Sequence, residues 1–168
     1  MNKFIKYLEG GDLRSIADVD KLIPLIESQR DFDCLFQYLF VEDRLVVMRA
    51  VDAIEKISLK KSKYLTKYKK DIIDLMGIAD NKELKWHLAL MVSRINFSIE
   101  ELKVVWSRLR CWATDKKESK IVRVNSIQAL FDFSEKNRDF KKDFDLIIRD
   151  IRTENIRSVD ARLRRLGV

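Results

Sequence analysis

The sequence predicts an all-α fold of stacked helix pairs, and three observations lead there. Turn residues are scarce: Pro24 is the one proline, and the glycines are Gly10, Gly11, Gly77 and Gly167. A β-sandwich or barrel needs many more. Second, apolar residues recur at helical period, as in Asp43 to Ser58, where Val46, Ala50, Ala53, Ile54 and Ile57 share one stripe. Third, that stripe returns further along the chain. Val46, Leu84, Val122 and Val159 form a column with steps of 38, 38 and 37 residues. Ala50, Leu88 and Ser126 form a second, Ala53, Met91 and Ala129 a third, and Ile54, Val92 and Leu130 a fourth. A helix pair cannot bury its apolar face alone, so pairs recurring at one period must stack.

Taken in order, Phe4, Ile5 and Leu8 predict a short helix stopped by Gly10–Gly11. Asp18 to Glu27 predicts a second, with Pro24 marking a kink or a later start. Residues 1–30 are expected to cap the stack. Asp31 to Phe40 and Asp43 to Ser58 make the first pair (31–58). A lysine-rich turn leads to Tyr64–Met76 and then Asn81–Ile95 (64–95), the latter opened by an expected capping box of Asp80 and Glu83. Ser98 and Glu101 form another box, with Phe97 and Leu102 as a hydrophobic staple, and start the pair at 98–134. Helices near 139–151 and 156–166 close the chain (139–166), which at 168 residues reads as a single domain, 1–168.

The second helices carry a pattern, Val-Arg-x-x-Ala-x-x-Ala-Leu, that resembles HEAT repeats. Val122-Arg123, Ser126 and Ala129-Leu130 match it closely, Leu84-Lys85, Leu88 and Met91-Val92 conservatively. Val46, Ala50 and Ala53-Ile54 keep the small residues but put Val47 at the basic position. Asp43, Asp80 and Glu118 look like the turn acids of that family. The resemblance covers residues 31–166 and is closest to compact bacterial HEAT-like proteins. It implies a right-handed α-solenoid with first helices convex and second helices concave.

The composition excludes more than it identifies. No signal-like apolar run opens the chain, and nothing approaches the ~18 apolar residues of a membrane span, so a cytoplasmic protein without a membrane partner is expected. Cys34 and Cys111 fit no disulfide or metal spacing and are expected to be small buried hydrophobes. His87 is the single histidine, so a His-rich metal site lacks its parts, and its row neighbours Arg49 and Asn125 supply no nucleophile for a Ser/His/Asp arrangement. No Gly-rich phosphate loop is present. The reading is of a non-catalytic chain needing no cofactor. Trp86, in one column with Met48 and Val124, is expected in the core, and one of Trp106 and Trp112 is expected to be partly exposed.

The expected function is that of a scaffold holding a protein or peptide along its second helices. Helical spacing puts Arg49, His87 and Asn125 in one surface row, Asp52, Leu90 and Gln128 in another, and Lys56, Arg94 and Asp132 in a third. The alternative is nucleic acid, since the net charge is +7. Lys60, Lys61, Lys63, Lys67 and Lys70 run together with interleaved tyrosines, and Arg162, Arg164 and Arg165 cluster near the C-terminus. Some alkylpurine DNA glycosylases are also built from HEAT-like repeats, but no surface row here joins Trp or Tyr to an Asp. The sequence does not speak to oligomeric state.

Overall fold

The computed structural model describes residues 3–10 and 18–168. Gly11, half of the expected stop signal, lies outside the described residues, as do 1–2 and 12–17 of the expected cap. Among the described residues there are nine α-helices, five 3-10 turns and no strand. No described helix is long and apolar enough to cross a membrane. The chain divides into two compact units, Met1–Tyr68 and Lys69–Val168.

In the N-terminal unit, helices α1 (Val19–Leu22), α2 (Gln29–Phe36) and α3 (Arg44–Ser58) are joined by 3-10 turns at Ile5–Tyr7, Ile23–Leu25, Gln37–Phe40 and Ser62–Tyr68. Three expected helices therefore give part of their apolar pattern to 3-10 turns, one of them Tyr64–Met76, which becomes α-helical only from Lys69. Pro24 has no N–H to donate and its ring crowds the carbonyl four residues back, so α1 gives way to a 3-10 turn. The second helix expected from Asp31 instead starts at Gln29. Ser28 and Asp31 close a capping box there, with the Asp31 N–H donating to Ser28 Oγ at 3.2 Å and the Ser28 N–H to Asp31 Oδ2 at 3.1 Å. Asp43 caps α3, accepting from the Leu45 N–H at 2.8 Å.

Rings fill this unit. Phe36 stacks on Tyr68 with centroids 3.7 Å apart, and Phe32 lies 5.4 Å from Tyr64. The Tyr68 hydroxyl donates to Asp33 Oδ1 at 2.6 Å, while Lys67 reaches Asp33 Oδ2 at 2.6 Å and Gln29 donates to Oδ1 at 2.8 Å. Burial works against the Asp33 charge, but these donors outweigh it and hold the carboxyl below its usual range. The N-terminal segment is tied down as well. Phe4 and Leu8 are buried, and the fully buried Arg49 donates to the Leu8 carbonyl at 2.7 Å.

The C-terminal unit holds α4 (Lys69–Ile78), α5 (Lys82–Val92), α6 (Ile99–Thr114), α7 (Lys120–Lys136), α8 (Lys141–Arg152) and α9 (Arg157–Leu166). They form two layers: α6 packs against α4 and α8, and α7 packs against α5 and α9. The pairing of α6 with α7 joins the layers. All four apolar columns are buried at every position named above. Caps set the helix starts. Asn81, not Asp80, caps α5, its side chain accepting from the Leu84 N–H at 2.9 Å. The carboxamide that reaches the third helical N–H belongs to Asn81, which puts Glu83 one position too early to complete a box. Ser98 and Glu101 do form theirs. At the other end Gly167 adopts a left-handed φ of 73°, closing α9.

Two buried or nearly buried cations recur in the second-helix layer. Lys85 pairs with Glu118 at 2.5 Å. Arg123, 38 residues on, forks onto Glu154 with both bonds at 2.9 Å and gives its Nε–H to the Ala113 carbonyl at 2.8 Å. Each acid sits in the turn before the next second helix, so each pair ties one repeat to its successor. Arg123 holds the Glu154 carboxyl below its usual range.

Three expectations about small or aromatic residues are corrected. Cys111 is exposed and Cys34 half-buried, because each faces away from the apolar stripe of its helix. Trp106 and Trp112 are both buried, since α6 has neighbours on three sides and so hides a wide arc. The Trp106 indole N–H finds its acceptor in Asp143 at 2.7 Å. Trp86 is half-buried rather than in the core.

Candidate interaction surface

In the C-terminal unit the accessible face of the second-helix layer is a grid. Helix α5 contributes Trp86 and Leu90, followed by Arg94 in the turn; α7 contributes Val124, Gln128 and Asp132; α9 contributes Arg162 and Leu166. Along each helix the spacing is four residues, one helical turn, and between helices it is 38. All eight side chains are half-buried. Each is thus partly covered by its neighbours and partly open.

Polar members of the grid orient one another. Arg162 donates to Gln128 Oε1 at 2.9 Å, and Gln128 Nε2 donates to Asp132 Oδ1 at 2.8 Å. Burial lowers the Arg162 pKa, the nearby Arg165 adds to that, and Asp132 opposes it. Beside this chain lie the apolar Trp86, Leu90 and Val124, with the Trp86 ring 5.2 Å from that of His87. The arrangement offers a flat aromatic surface, two aliphatic contacts and a pre-oriented guanidinium.

The expected surface rows fare unequally. Leu90 and Gln128, and Arg94 and Asp132, belong to the grid. His87 and Asn125 do not, being 6% and 7% exposed. In the N-terminal unit Arg49, of the same row, is 0% exposed and is spent on the Leu8 carbonyl. One residue corresponds to about 100° of helix rotation, so a row chosen one position round the helix faces the interior. The accessible row is Trp86, Val124 and Arg162, which has the same 38-residue step. The signal was in the sequence, as the Met48–Trp86–Val124 column, but its apolar character reads as core. Asp52 and Lys56 are half-buried and paired to each other at 2.9 Å, with Asp20 3.4 Å from the same ammonium. Burial disfavours the Lys56 charge, yet the two carboxylates raise its pKa above the usual value.

The expected phosphate patch is partly consumed by the fold. Lys61 donates to the Ile26 carbonyl at 2.8 Å, Lys67 pairs with Asp33, and Arg162 is engaged by Gln128. Lys60 and Lys63 in the N-terminal unit, and Lys70, Arg164 and Arg165 in the C-terminal unit, are exposed. Among the described residues no group of three or more His, Cys, Asp or Glu is placed to hold a metal ion. Comparison of the chain with protein-family models, with curated proteins and with solved structures finds no match.

Proposed function

We propose that this chain is a HEAT-like repeat protein, a right-handed solenoid of helix pairs, that acts as a non-catalytic, cytoplasmic module for binding another protein or peptide. The grid on α5, α7 and α9 carries the reading. A tryptophan and an arginine set among aliphatic side chains are the residue types that dominate protein interfaces. Partial burial and, for Arg162, the bond to Gln128 restrict these side chains, so less freedom is lost on binding. The buried columns at one spacing, and the basic residues Lys85 and Arg123 at the HEAT-like position, support the repeat reading. Nucleic acid fits less well, because Lys61, Lys67 and Arg162 already have intramolecular partners.

The test is affinity capture with the intact chain, with and without nuclease, followed by binding measurements on the protein recovered. Trp86→Ala and Val124→Glu are expected each to weaken that partner by about 30-fold, the scale of a hot-spot residue of about 2 kcal/mol. A thermal scan confirms that each variant is folded. A partner whose affinity ignores both variants, or whose capture depends on nucleic acid, overturns the proposal.

A further inference from the structure

The opposite layer of the C-terminal unit carries a second surface. Helices α6 and α8 lie side by side, joined where Asp143 accepts from Trp106 and from Arg110, the latter at 3.0 Å. Facing outward are Lys103 and the half-buried Arg108 on α6 and the exposed Lys142, Arg149 and Arg152 on α8. None of these five cations is held in an ion pair with a described residue. The acids exposed on the same helices are Glu100, Asp145 and Asp150.

Apolar groups are set among the cations. Val104 is 55% and Leu146 is 52% exposed. Val104 shares its register position with Lys142, and Leu146 shares its own with Arg108, each 38 residues away. Apolar and cationic side chains therefore alternate from one helix to the next. A shallow groove lies on each helix. Lys103, Val104, Ser107, Arg108 and Cys111 line one, and Phe144, Asp145, Ile148, Arg149 and Arg152 with Val168 line the other.

We infer that the α6–α8 face docks an acidic protein segment that carries apolar side chains. Unpaired cations of one sign attract a segment of the opposite sign. The aliphatic groups decide between polyanions: a phosphate backbone would put charge against Val104 and Leu146, whereas a leucine or phenylalanine between acids would bury them. Solubility alone calls for charges of both signs, not for apolar residues interleaved with cations. This surface is separate from the α5–α7–α9 grid, so either can fail without the other.

The probe is a fluorescein-labelled peptide of glutamates with a leucine at every third or fourth position, titrated into the intact chain by anisotropy. Polyglutamate and oligothymidylate serve as controls. The leucine-bearing peptide is expected to bind about tenfold more tightly than either control, one to two buried aliphatic contacts being enough for that ratio. R149E/R152E should weaken it by about 100-fold, at about tenfold per reversed charge, and Val104→Asp by about tenfold. Because these positions are exposed, the thermal midpoint should hold. A second readout uses the exposed Cys111 in a Cys34→Ser background, whose alkylation by iodoacetamide should slow when the peptide is bound. Equal binding of polyglutamate or oligothymidylate, unchanged affinity in R149E/R152E, or unprotected Cys111 overturns the inference.

Discussion

The two units are held together by different means. The N-terminal unit is held by rings and by single hydrogen bonds that do not repeat: Phe36 stacks on Tyr68, whose hydroxyl meets Asp33, and Lys61 and Tyr64 close on the carbonyls of Ile26 and Glu27. Its helices are short and broken by 3-10 turns. The C-terminal unit is regular. Its helices alternate between two layers, and charged pairs at Lys85–Glu118 and Arg123–Glu154 repeat with the fold. At the equivalent position of α3 stands Val47, which has no charge to offer. Regular spacing makes a repeated ion pair possible. An irregular unit needs contacts found one at a time.

The chain carries its own probes of this contrast. Its four tyrosines, Tyr7, Tyr38, Tyr64 and Tyr68, lie in the N-terminal unit, and its three tryptophans, Trp86, Trp106 and Trp112, in the C-terminal one. The sharpest break is expected from removing each unit's central contact. Arg123→Ala leaves Glu154 without its fork and should cost about 3–5 kcal/mol in the urea transition followed by tryptophan fluorescence. Arg123→Met combined with Glu154→Leu should recover most of that loss, because no charge is then left alone. Phe36→Ala opens a cavity under Tyr68 and should cost about 3–5 kcal/mol in the transition followed by tyrosine near-ultraviolet dichroism.

Acid should weaken both units, through different carboxylates. Glu154 and Asp33 both have folded pKa values below their unfolded ones, so their contribution is complete above the unfolded value and disappears as pH falls through the folded one. For Glu154 the loss begins near 4.5, and for Asp33 near 3.8. Urea midpoints measured down the pH scale should show the tryptophan-reported loss starting first. Glu154→Gln should flatten it and leave the tyrosine-reported slope in place. The smallest effect compares the two capping boxes. Ser28→Ala and Ser98→Ala should each cost about 1 kcal/mol, read by tyrosine and tryptophan respectively. A much larger loss at Ser28 would mean that the irregular unit relies more heavily on its helix starts.

Much of the helical content was readable because burial imposes its own period. Val46, Leu84, Val122 and Val159 fall in a column since each is buried at the same position of its helix, and residue type alone reports that. The box at Ser98–Glu101 was legible because both partners are local. The one at Ser28–Asp31 was missed because an aspartate stands where a glutamate is usual. What only the tertiary structure decided is which face of each helix stays open. Arg49, His87 and Asn125 are polar yet buried, while Trp86 and Val124 are apolar yet accessible. Polarity forecasts exposure only when a polar group lacks a buried partner, and Arg49 has one 41 residues away in the Leu8 carbonyl. Likewise, the Asp33 and Glu154 partnerships join residues more than thirty positions apart. Such pairings are set by how helices pack, a property of the folded chain that no local pattern carries.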